Sequence, residues 1–279
     1  MLERMQGNLD IGPFQKIFEK MRKIKSNRIV IKIGTNVLTN ENGLLDFNVI
    51  QNLVLQIAKI KNKRNIVVVT SGAIGAGMQE LGLKQKPANV VMKQVCAAIG
   101  QGILMANYHS LFSRHNIRIA QILLTYNDLS DRSTYKNLMN SLDRLFELGA
   151  IPIINENDPI SINEIGPSFG DNDNLSAMIA SKVKADLLVI LTDVDGLYDK
   201  NPKDKNAVLI QEVKSVDKKI ESMGAGSSKL GIGGMKTKIG AAKNATKGGT
   251  TVIIANGRKQ GVLTKIINNE SVGTIFYPQ

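Results

Sequence analysis

The sequence of 279 residues predicts an α/β fold, in which a mostly parallel central sheet is covered by helices on both faces. Three observations support this three-layer α/β/α prediction. Short runs of Val, Ile and Leu alternate with longer segments whose apolar residues recur at helical spacing. The short runs are apolar throughout, which is typical of strands buried on both faces. Polar and glycine-rich stretches follow these runs, at the end of a parallel sheet where ligands bind.

The predicted elements alternate along the chain. The predicted strands are RIVIKIG (28–34), NIVVVTSG (65–72), RIAQILLT (118–125), AIPIINEND (150–158), DLLVILTD (186–193) and TTVIIANG (250–257). The segments with helical spacing are residues 47–63, 87–114, 132–149, 173–185 and 237–249. Gly149 stands at the end of one such segment, where glycine often terminates a helix. We expect one domain with two lobes around a cleft, divided near residue 185.

Residues 1–26 differ from the rest of the chain. Apolar residues recur there at helical spacing after Pro13, a residue typical of helix starts. Acidic residues and the lack of a small-residue cleavage site make a signal or transit peptide a poor match. The segment predicts an N-terminal helical extension that packs on the domain or on a neighbouring subunit.

Composition limits the function classes. The net charge of +12 suits an anionic partner, such as a nucleotide, a nucleic acid or an acidic metabolite, although it also serves solubility. The chain has no Trp and only 4% aromatic residues, so nucleic-acid binding by base stacking is poorly supported. No apolar run reaches the roughly 18 residues of a membrane span, which predicts a soluble protein.

Cysteine and histidine chemistry is also poorly supported. Cys96 is the only cysteine, which excludes an intramolecular disulfide framework and a thiolate metal cluster. The two histidines, His109 and His115, show no metal-ligand pattern. Any catalysis must therefore proceed without a histidine relay.

Three glycine-rich loops lie at predicted strand ends or helix starts: GTN (34–36), SGAIGAG (71–77) and GIGGMKTK (231–238). Glycine lets backbone N–H groups approach an anion, and a helix N-terminus adds favourable charge. None of these loops matches a Walker A or a dinucleotide-binding motif. Each alone could be a structural turn, but their common placement favours anion binding.

Two lysines stand beside these loops. Lys32 lies within an apolar strand, where a lysine needs a charged partner or an opening into a cleft. Lys238 ends the GGMKTK stretch, where it could equally be a solvated helix residue, and Lys236 competes with it for any role.

The stretch FGDNDNLSA places Asp171, Asn172 and Asp173 side by side, either as a helix-capping turn or as part of a charged site. An aspartate between two lysines would hold both ammonium groups where negative charge develops on a transferring phosphoryl group. A carboxylate acceptor is already ionised at neutral pH, so this chemistry would need no general base.

The motifs VIKIGTNVLT, VVVTSGAIGAG, PIINENDPI, GDNDNLSA, LTDVDGLY and GIGGMKTK resemble, in this order, those of glutamate 5-kinases in the amino acid kinase superfamily. The resemblance covers about residues 28–277. INEND followed by GDNDNLSA separates this family from relatives acting on acetylglutamate, aspartate, carbamate or UMP. The resemblance implies an amino acid kinase domain over residues 27–279. Its amino-acid-binding lobe would span about 27–185 and its nucleotide-binding lobe about 186–279.

The implied activity is ATP-dependent phosphorylation of the γ-carboxylate of L-glutamate to L-glutamyl 5-phosphate, the first step of proline biosynthesis, in the cytoplasm. Mg²⁺ would arrive with ATP rather than on protein ligands. The resemblance implies catalytic roles for Lys32, Lys238 and Asp173. It implies glutamate binding by Ser71, Gly72, Asp158 and Asn172. It implies nucleotide binding by Lys32, Gly34, Thr192, Asp193, Gly233, Gly234, Met235, Lys236, Thr237 and Lys238. Gly34 and Gly72 would offer backbone N–H groups to phosphoryl oxygens.

Further expectations follow from the resemblance. Because the sequence ends at VGTIFYPQ, we expect the RNA-binding-like PUA domain that follows the kinase domain in many members to be absent. We expect a homo-oligomer, a dimer or tetramer, formed through the helices around 88–114 and 133–148. Feedback inhibition by proline at a site overlapping that for glutamate is also expected, with no nucleic-acid or membrane partner. The alternative is a non-enzymatic sensor or basic nucleic-acid binder, although a sensor has no need to keep Lys32, Asp173 and Lys238 together.

Overall fold

The computed structural model describes residues 24–161, 172–224 and 234–279. Within these residues, eight strands form one sheet in the order β3-β4-β2-β1-β5-β7-β8-β6. The strands are β1 (Arg28–Ile33), β2 (Asn65–Val69), β3 (Ile119–Leu124), β4 (Ile151–Glu156), β5 (Leu187–Thr192), β6 (Glu212–Val213), β7 (Thr251–Asn256) and β8 (Thr274–Phe276). All six predicted strands are therefore confirmed, each ending one to three residues earlier than its sequence pattern.

Helices connect these strands. They are α1 (Thr35–Leu38), α2 (Phe47–Ile60), α3 (Ala73–Glu80), α4 (Val90–Ser113), α5 (Tyr126–Ser130), α6 (Arg132–Glu147), α7 (Asn172–Lys182), α8 (Lys218–Met223), α9 (Met235–Lys247) and α10 (Val262–Ile267), with a 3₁₀ turn, η1 (Asp158–Ile160). Gly149 follows α6 with a φ of +69°, as predicted for a helix end. The predicted N-terminal helix falls almost entirely on residues 1–23, outside the described residues.

The sheet is mostly parallel, as predicted. The exception is its last edge, where β8 runs antiparallel to β7 and pairs in parallel with β6. Neither of these two strands was predicted, because two or three residues carry too little periodicity to be recognised. The connections change direction between β1 and β5, which are neighbours at the centre of the sheet. In sheets of this kind, ligands bind beyond the carboxyl ends of the strands at such a point.

Each face of the sheet has its own core. Ile29, Ile31 and Ile33 of β1 face one core, which is completed by α1, α2, α3, α4 and α10. Val30 faces the other core, to which α6, α7 and α9 contribute. Because side chains alternate along a strand, Lys32 lies on the same face as Val30, towards α7 and α9. This alternation decides which helices the lysine can meet.

By length and composition alone, α4 could cross a membrane, contrary to the expectation from the length of the apolar runs. The core helix of a soluble protein passes the same test, and α4 packs closely against α3. A Cβ at Gly100 would lie 1.9 Å from the carbonyl oxygen of Ala73, so only glycine allows this approach. The buried side of α4 includes Leu104 and Tyr108. The opposite side keeps several apolar residues exposed.

Candidate active site

Asp173 lies between two lysines in the interior of the protein. Its Oδ1 is 2.5 Å from Nζ of Lys32, and its Oδ2 is 3.0 Å from Nζ of Lys238. The three side chains are 0%, 4% and 7% exposed, respectively. The structure thus brings together all three residues predicted to be catalytic. Their charges sum to +1, an excess that an anionic ligand would neutralise.

Three elements converge to build this triad. Lys32 comes from the carboxyl end of β1, between Val69 of β2 and Ile190 of β5. Asp173 belongs to the first turn of α7, where the helix dipole favours a negative charge. Lys238 is buried in the first turns of α9, and α7 and α9 pack side by side on this face of the sheet.

The two lysines control the ionisation of Asp173. Burial alone would raise the pKa of Asp173, but Lys32 and Lys238 outweigh it and lower the pKa to about 2. Asp173 is therefore a carboxylate at every physiological pH. It acts as a fixed anchor for two cations rather than as a proton carrier.

The first turn of α9 distinguishes its two lysines. Lys236 is exposed, whereas Lys238 is buried against Asp173. Between them, the Thr237 hydroxyl donates to Oδ2 of Asp173 at 2.9 Å. The sequence left open whether Lys236 or Lys238 belongs to the site. The side of α9 that faces α7 decides in favour of Lys238. The contact of Thr237 with Asp173 was not predicted, because its place in GGMKTK implied only nucleotide binding.

Asn172 is the centre of a second polar cluster. Its Nδ2 lies 2.6 Å from the carbonyl oxygen of Thr70, 3.0 Å from Oγ of Ser71 and 3.0 Å from Oδ1 of Asn155. Its Oδ1 is buried and, among the described residues, accepts no hydrogen bond. A buried acceptor without a donor is costly, so Oδ1 is suited to an N–H or O–H group of a ligand.

Two residues of this cluster, Asn155 and Gln101, were not among the predicted site residues. Asn155 donates through Nδ2 to Oε1 of Gln101 at 2.9 Å, and both side chains are buried. Asn155 belongs to the INEND motif, so the sequence held a signal for it. Gln101 lies in the middle of α4, and its sequence neighbourhood gave no such signal.

Asp158, predicted to bind glutamate, occupies η1 directly after β4. Burial and the nearby Glu156 raise its pKa to about 7, although Lys86 acts in the opposite direction. Glu156 in turn accepts a hydrogen bond from Oγ of Ser161 at 2.5 Å. A carboxyl group with a pKa near 7 ionises readily when a cationic ligand arrives.

Apart from Lys32 and Gly34 at the end of β1, the described residues predicted to bind the nucleotide lie at the end of β5 and the start of α9. Thr192 is buried, and its hydroxyl lies 3.1 Å from Oδ1 of Asp193. The other oxygen of Asp193 accepts from Nδ2 of Asn36 at 3.1 Å. Gly234 is the N-cap of α9, and Met235 is half-buried behind it. Gly233 and Asp171 lie outside the described residues.

The Gly34 amide, predicted to face phosphoryl oxygens, already has a partner within the sheet. Its N–H donates to the carbonyl oxygen of Leu191 at 3.1 Å and thereby extends the pairing of β1 with β5. Glycine is needed there for space, since a Cβ would lie 3.1 Å from that oxygen and 3.5 Å from Nζ of Lys32. Gly72 is the N-cap of α3 with a φ of +102°, a conformation that favours glycine.

Arg258, from the loop after β7, was not predicted either. Its guanidinium group donates to the carbonyl oxygens of Asn36, at 3.0 Å, and Thr39. These groups lie along and just after α1, so Arg258 holds this short helix beside the end of β1.

Comparison with known sequences supports a kinase site. The model of the amino acid kinase family matches residues 27–256. Glutamate 5-kinase from Clostridium acetobutylicum is 48% identical over 256 residues, which cover 91% of this chain and 95% of the relative. Glutamate 5-kinase from Methanosarcina barkeri is also 48% identical, over 90% of this chain and 68% of the relative. That from Dehalococcoides mccartyi is 50% identical over 255 residues, or 90% of this chain and 68% of the relative.

Solved structures agree on the fold at much lower identity. UMP kinase from Ureaplasma parvum superimposes with a TM-score of 0.61 at 17% identity, covering 91% of this chain and 100% of that one. N-acetylglutamate synthase from Neisseria gonorrhoeae superimposes with a TM-score of 0.67 at 15% identity, covering 96% of this chain and 63% of that one. These likenesses confirm the architecture, and the sequence relatives define the family. The chain therefore belongs to the amino acid kinase family and, within it, to the glutamate 5-kinases.

Proposed function

We propose that this protein transfers the γ-phosphoryl group of ATP to the γ-carboxylate of L-glutamate and forms L-glutamyl 5-phosphate, the first intermediate of proline biosynthesis. The observation that carries the proposal is the buried triad of Lys32, Asp173 and Lys238. Membership of the family supports the choice of substrate. The site chemistry agrees, because neither a histidine nor a general base is needed when the acceptor is already a carboxylate.

In the proposed reaction, a γ-carboxylate oxygen attacks the γ-phosphorus while the bond to the oxygen of the β-phosphate breaks, and ADP leaves with that electron pair. Negative charge spreads over the transferring phosphoryl oxygens and the leaving oxygen. Lys32 and Lys238 would meet this charge from opposite sides of Asp173. Since Asp173 fixes both ammonium groups in advance, little reorganisation is required as the charge develops.

The amino acid would bind at the ends of β2 and β4. Glutamate has a single group of strong donors, its α-ammonium, and its two carboxylates only accept. The buried Oδ1 of Asn172 lacks a donor among the described residues, and Asp158 ionises near pH 7. Both features suit an ammonium group, and the Ser71 hydroxyl lies 3.0 Å from Asn172 beside them. Gly72, at the start of α3, would offer its backbone N–H group to a phosphoryl oxygen.

The nucleotide would lie against the other lobe, at the ends of β5 and β7. We assign it to Thr192, Asp193 and the start of α9 from Gly234 to Lys238, with residues 186–279 as the nucleotide-binding lobe and residues 27–185 as the amino-acid-binding lobe. Both oxygens of Asp173 face lysines, so this carboxylate is poorly suited to hold Mg²⁺. We therefore propose that the ion enters on the phosphates of ATP.

Two further properties belong to this proposal. Proline would inhibit by occupying part of the glutamate site, since its ring ammonium could use the same acceptors. The protein would form a homo-oligomer through the exposed apolar side of α4. Val91, Val95 and Ile99 on this side of the helix are 63%, 40% and 36% exposed. Apolar residues clustered on one surface are typical of protein interfaces.

The test of the reaction is acyl phosphate formation. Purified protein is incubated with ATP, Mg²⁺, hydroxylamine and one acceptor at a time: L-glutamate, N-acetylglutamate, L-aspartate or UMP. We expect ADP release and γ-glutamyl hydroxamate in equal amounts, with L-glutamate only. Hydroxamate formation from another acceptor, with none from glutamate, would move the assignment elsewhere in the superfamily. Omission of each component provides the control.

A further inference from the structure

Gln101 is a buried polar residue on an otherwise apolar side of α4. It is 8% exposed, and it lies between Ala97 and Leu104, both of which belong to the hydrophobic core. Its Oε1 accepts a hydrogen bond from Nδ2 of Asn155 at 2.9 Å. Burial of a carboxamide costs free energy unless the group is hydrogen-bonded. The contact with Asn155 supplies that hydrogen bond, and we therefore look for the role of Gln101 there.

The contact continues as a chain of three carboxamides that leads from Gln101 to Asn172. Because Gln101 presents an oxygen, Asn155 must turn its Nδ2 towards α4 and its Oδ1 towards α7. That Oδ1 then accepts from Nδ2 of Asn172 at 3.0 Å. If Asn155 were turned around, two NH₂ groups would face each other. The orientation of the first carboxamide therefore restricts the orientation of the third.

The end of this chain is the atom that the proposed function assigns to substrate. With its Nδ2 directed towards Thr70, Ser71 and Asn155, Asn172 has to direct Oδ1 the other way. That oxygen is buried and accepts nothing from the described part of the chain. A carboxamide free to rotate would offer a ligand donor either an oxygen or a repelling NH₂ group.

We propose that Gln101 is a positioning residue for the amino-acid substrate. It acts through Asn155, together with the carbonyl oxygen of Thr70, to hold the Asn172 carboxamide with its oxygen towards the ligand, and it does not touch the ligand itself. This inference rests on the proposed function, because it takes Asn172 as a contact of glutamate. It predicts an effect on glutamate binding alone, since the triad and the nucleotide residues lie outside the chain of carboxamides.

The test compares two substitutions at Gln101 with a control on the same helix. Gln101→Met keeps the length and removes the acceptor, whereas Gln101→Glu keeps an oxygen that can accept from Asn155. Asn107→Met is the matched control. It removes a half-buried carboxamide whose Nδ2 donates to Ile103 of its own helix at 2.8 Å. For each protein, KM for glutamate, KM for ATP, kcat and Tm are measured by the hydroxamate assay and thermal unfolding.

For Gln101→Met, we expect KM for glutamate to rise about tenfold, equivalent to about 1.4 kcal/mol, with KM for ATP and kcat within about twofold of wild type. Gln101→Glu should recover much of this loss, and Asn107→Met should resemble wild type. An unchanged KM for glutamate in Gln101→Met would overturn the proposal. A rise in both KM values together with a fall in kcat, if it persists in Gln101→Glu, would also overturn the proposal. A general structural defect produces that pattern.

Two controls separate the possible failures. If Gln101→Met does not fold, Gln101→Ala takes its place, because alanine also removes the acceptor and is favourable in a helix. Wild-type protein is assayed alongside. If the wild-type protein forms no glutamyl hydroxamate, both the proposed function and this inference are contradicted. A normal wild-type enzyme with unaffected Gln101 variants would sink only the role of Gln101.

Discussion

The carboxylate of Asp173 and the ammonium group of Lys32 are separated by 2.5 Å and are almost wholly shielded from solvent. They lie 141 positions apart in the chain, at the start of α7 and the end of β1. A buried ion pair of this kind gives little net stability, because both charges lose their hydration. Its presence at the centre of the sheet, with a second lysine on the same carboxylate, is better explained by the phosphoryl transfer proposed above.

Lys238→Met should abolish most of the activity. The substitution preserves the apolar stem and removes the charge that would meet the transferring phosphoryl group. Loss of one such stabilising group typically costs about 10²–10³ in kcat. Lys236→Met removes an exposed lysine two residues away and is the matched control, for which kcat should fall by less than about tenfold. Steady-state kinetics with both substrates measure the difference. Equal losses in the two variants would contradict the assignment of Lys238.

Asp173→Asn should reduce both activity and stability. The amide keeps the shape of the side chain but leaves Lys32 and Lys238 buried without a countercharge. Breaking a buried ion pair in this way costs about 3–5 kcal/mol. Urea denaturation at neutral pH measures the loss.

The stability supplied by Asp173 should also depend on acid. Because the native pKa of Asp173 is lowered to about 2 from an ordinary value of 3.8, its contribution is complete above the ordinary value and is lost as pH falls towards 2. The difference in the free energy of unfolding between wild type and Asp173→Asn should therefore become smaller as pH falls over that range. A constant difference would contradict the ion pair.

Glutamate binding should strengthen as pH rises through about 7. Burial and Glu156 raise the pKa of Asp158 to about 7, so its carboxyl is neutral below that pH and cannot pair with an ammonium group. KM for glutamate should fall as Asp158 ionises and then level off. The effect of the same ionisation on the stability of the fold has the opposite direction. The native carboxyl retains its proton above the ordinary pKa of 3.8, so its contribution to the free energy of unfolding declines as pH rises towards 7.

Asp158→Asn is the comparison for this pH profile. The amide resembles the neutral carboxyl at every pH, so KM for glutamate should be high and nearly independent of pH between about 6 and 8. A variant that keeps the wild-type profile would show that another group is responsible.

Gly34→Ala should impair catalysis without unfolding the protein. The new methyl group would lie 3.1 Å from the carbonyl oxygen of Leu191 and 3.5 Å from Nζ of Lys32, close to the proposed path of the phosphoryl group. We expect kcat to fall at least about tenfold and stability to fall by about 1–3 kcal/mol. Gly240→Ala is the control. Its methyl group meets no atom within 4 Å, and alanine should stabilise α9 by up to about 1 kcal/mol. Similar kinetics for both variants would contradict the crowding at Gly34.

Val91→Asp should weaken self-association if α4 forms the contact between subunits. Val91 is 63% exposed, and a charge buried in an apolar interface is strongly unfavourable. Val208→Asp is matched in exposure, at 63%, but lies in a loop before β6. Light scattering after size exclusion gives the mass of each protein. A wild-type monomer, or an unchanged Val91→Asp oligomer, would exclude this surface.

Several features of the site could be predicted from single residues in context. A lysine inside an apolar strand and an aspartate at the start of a helix each carried a signal, and both are found in the triad. The glycines at strand ends also indicated the site, but the sequence did not show what each glycine does there. Gly34 provides space rather than an N–H group, because its amide completes the pairing with Leu191. Hydrogen-bond partners across a sheet depend on register, and a single segment does not contain its register.

The amino-acid sequence by itself determined the alternation of strands and helices, the end of the sheet where function lies, and the family. These depend on periodicity and short motifs, which are local properties of the chain. Only the tertiary structure decided that Lys238 rather than Lys236 meets Asp173, that β8 runs antiparallel, and that Gln101 reaches Asn172 through Asn155. Those facts depend on which sides of separate elements are packed together, and packing between distant segments is a property of the whole fold.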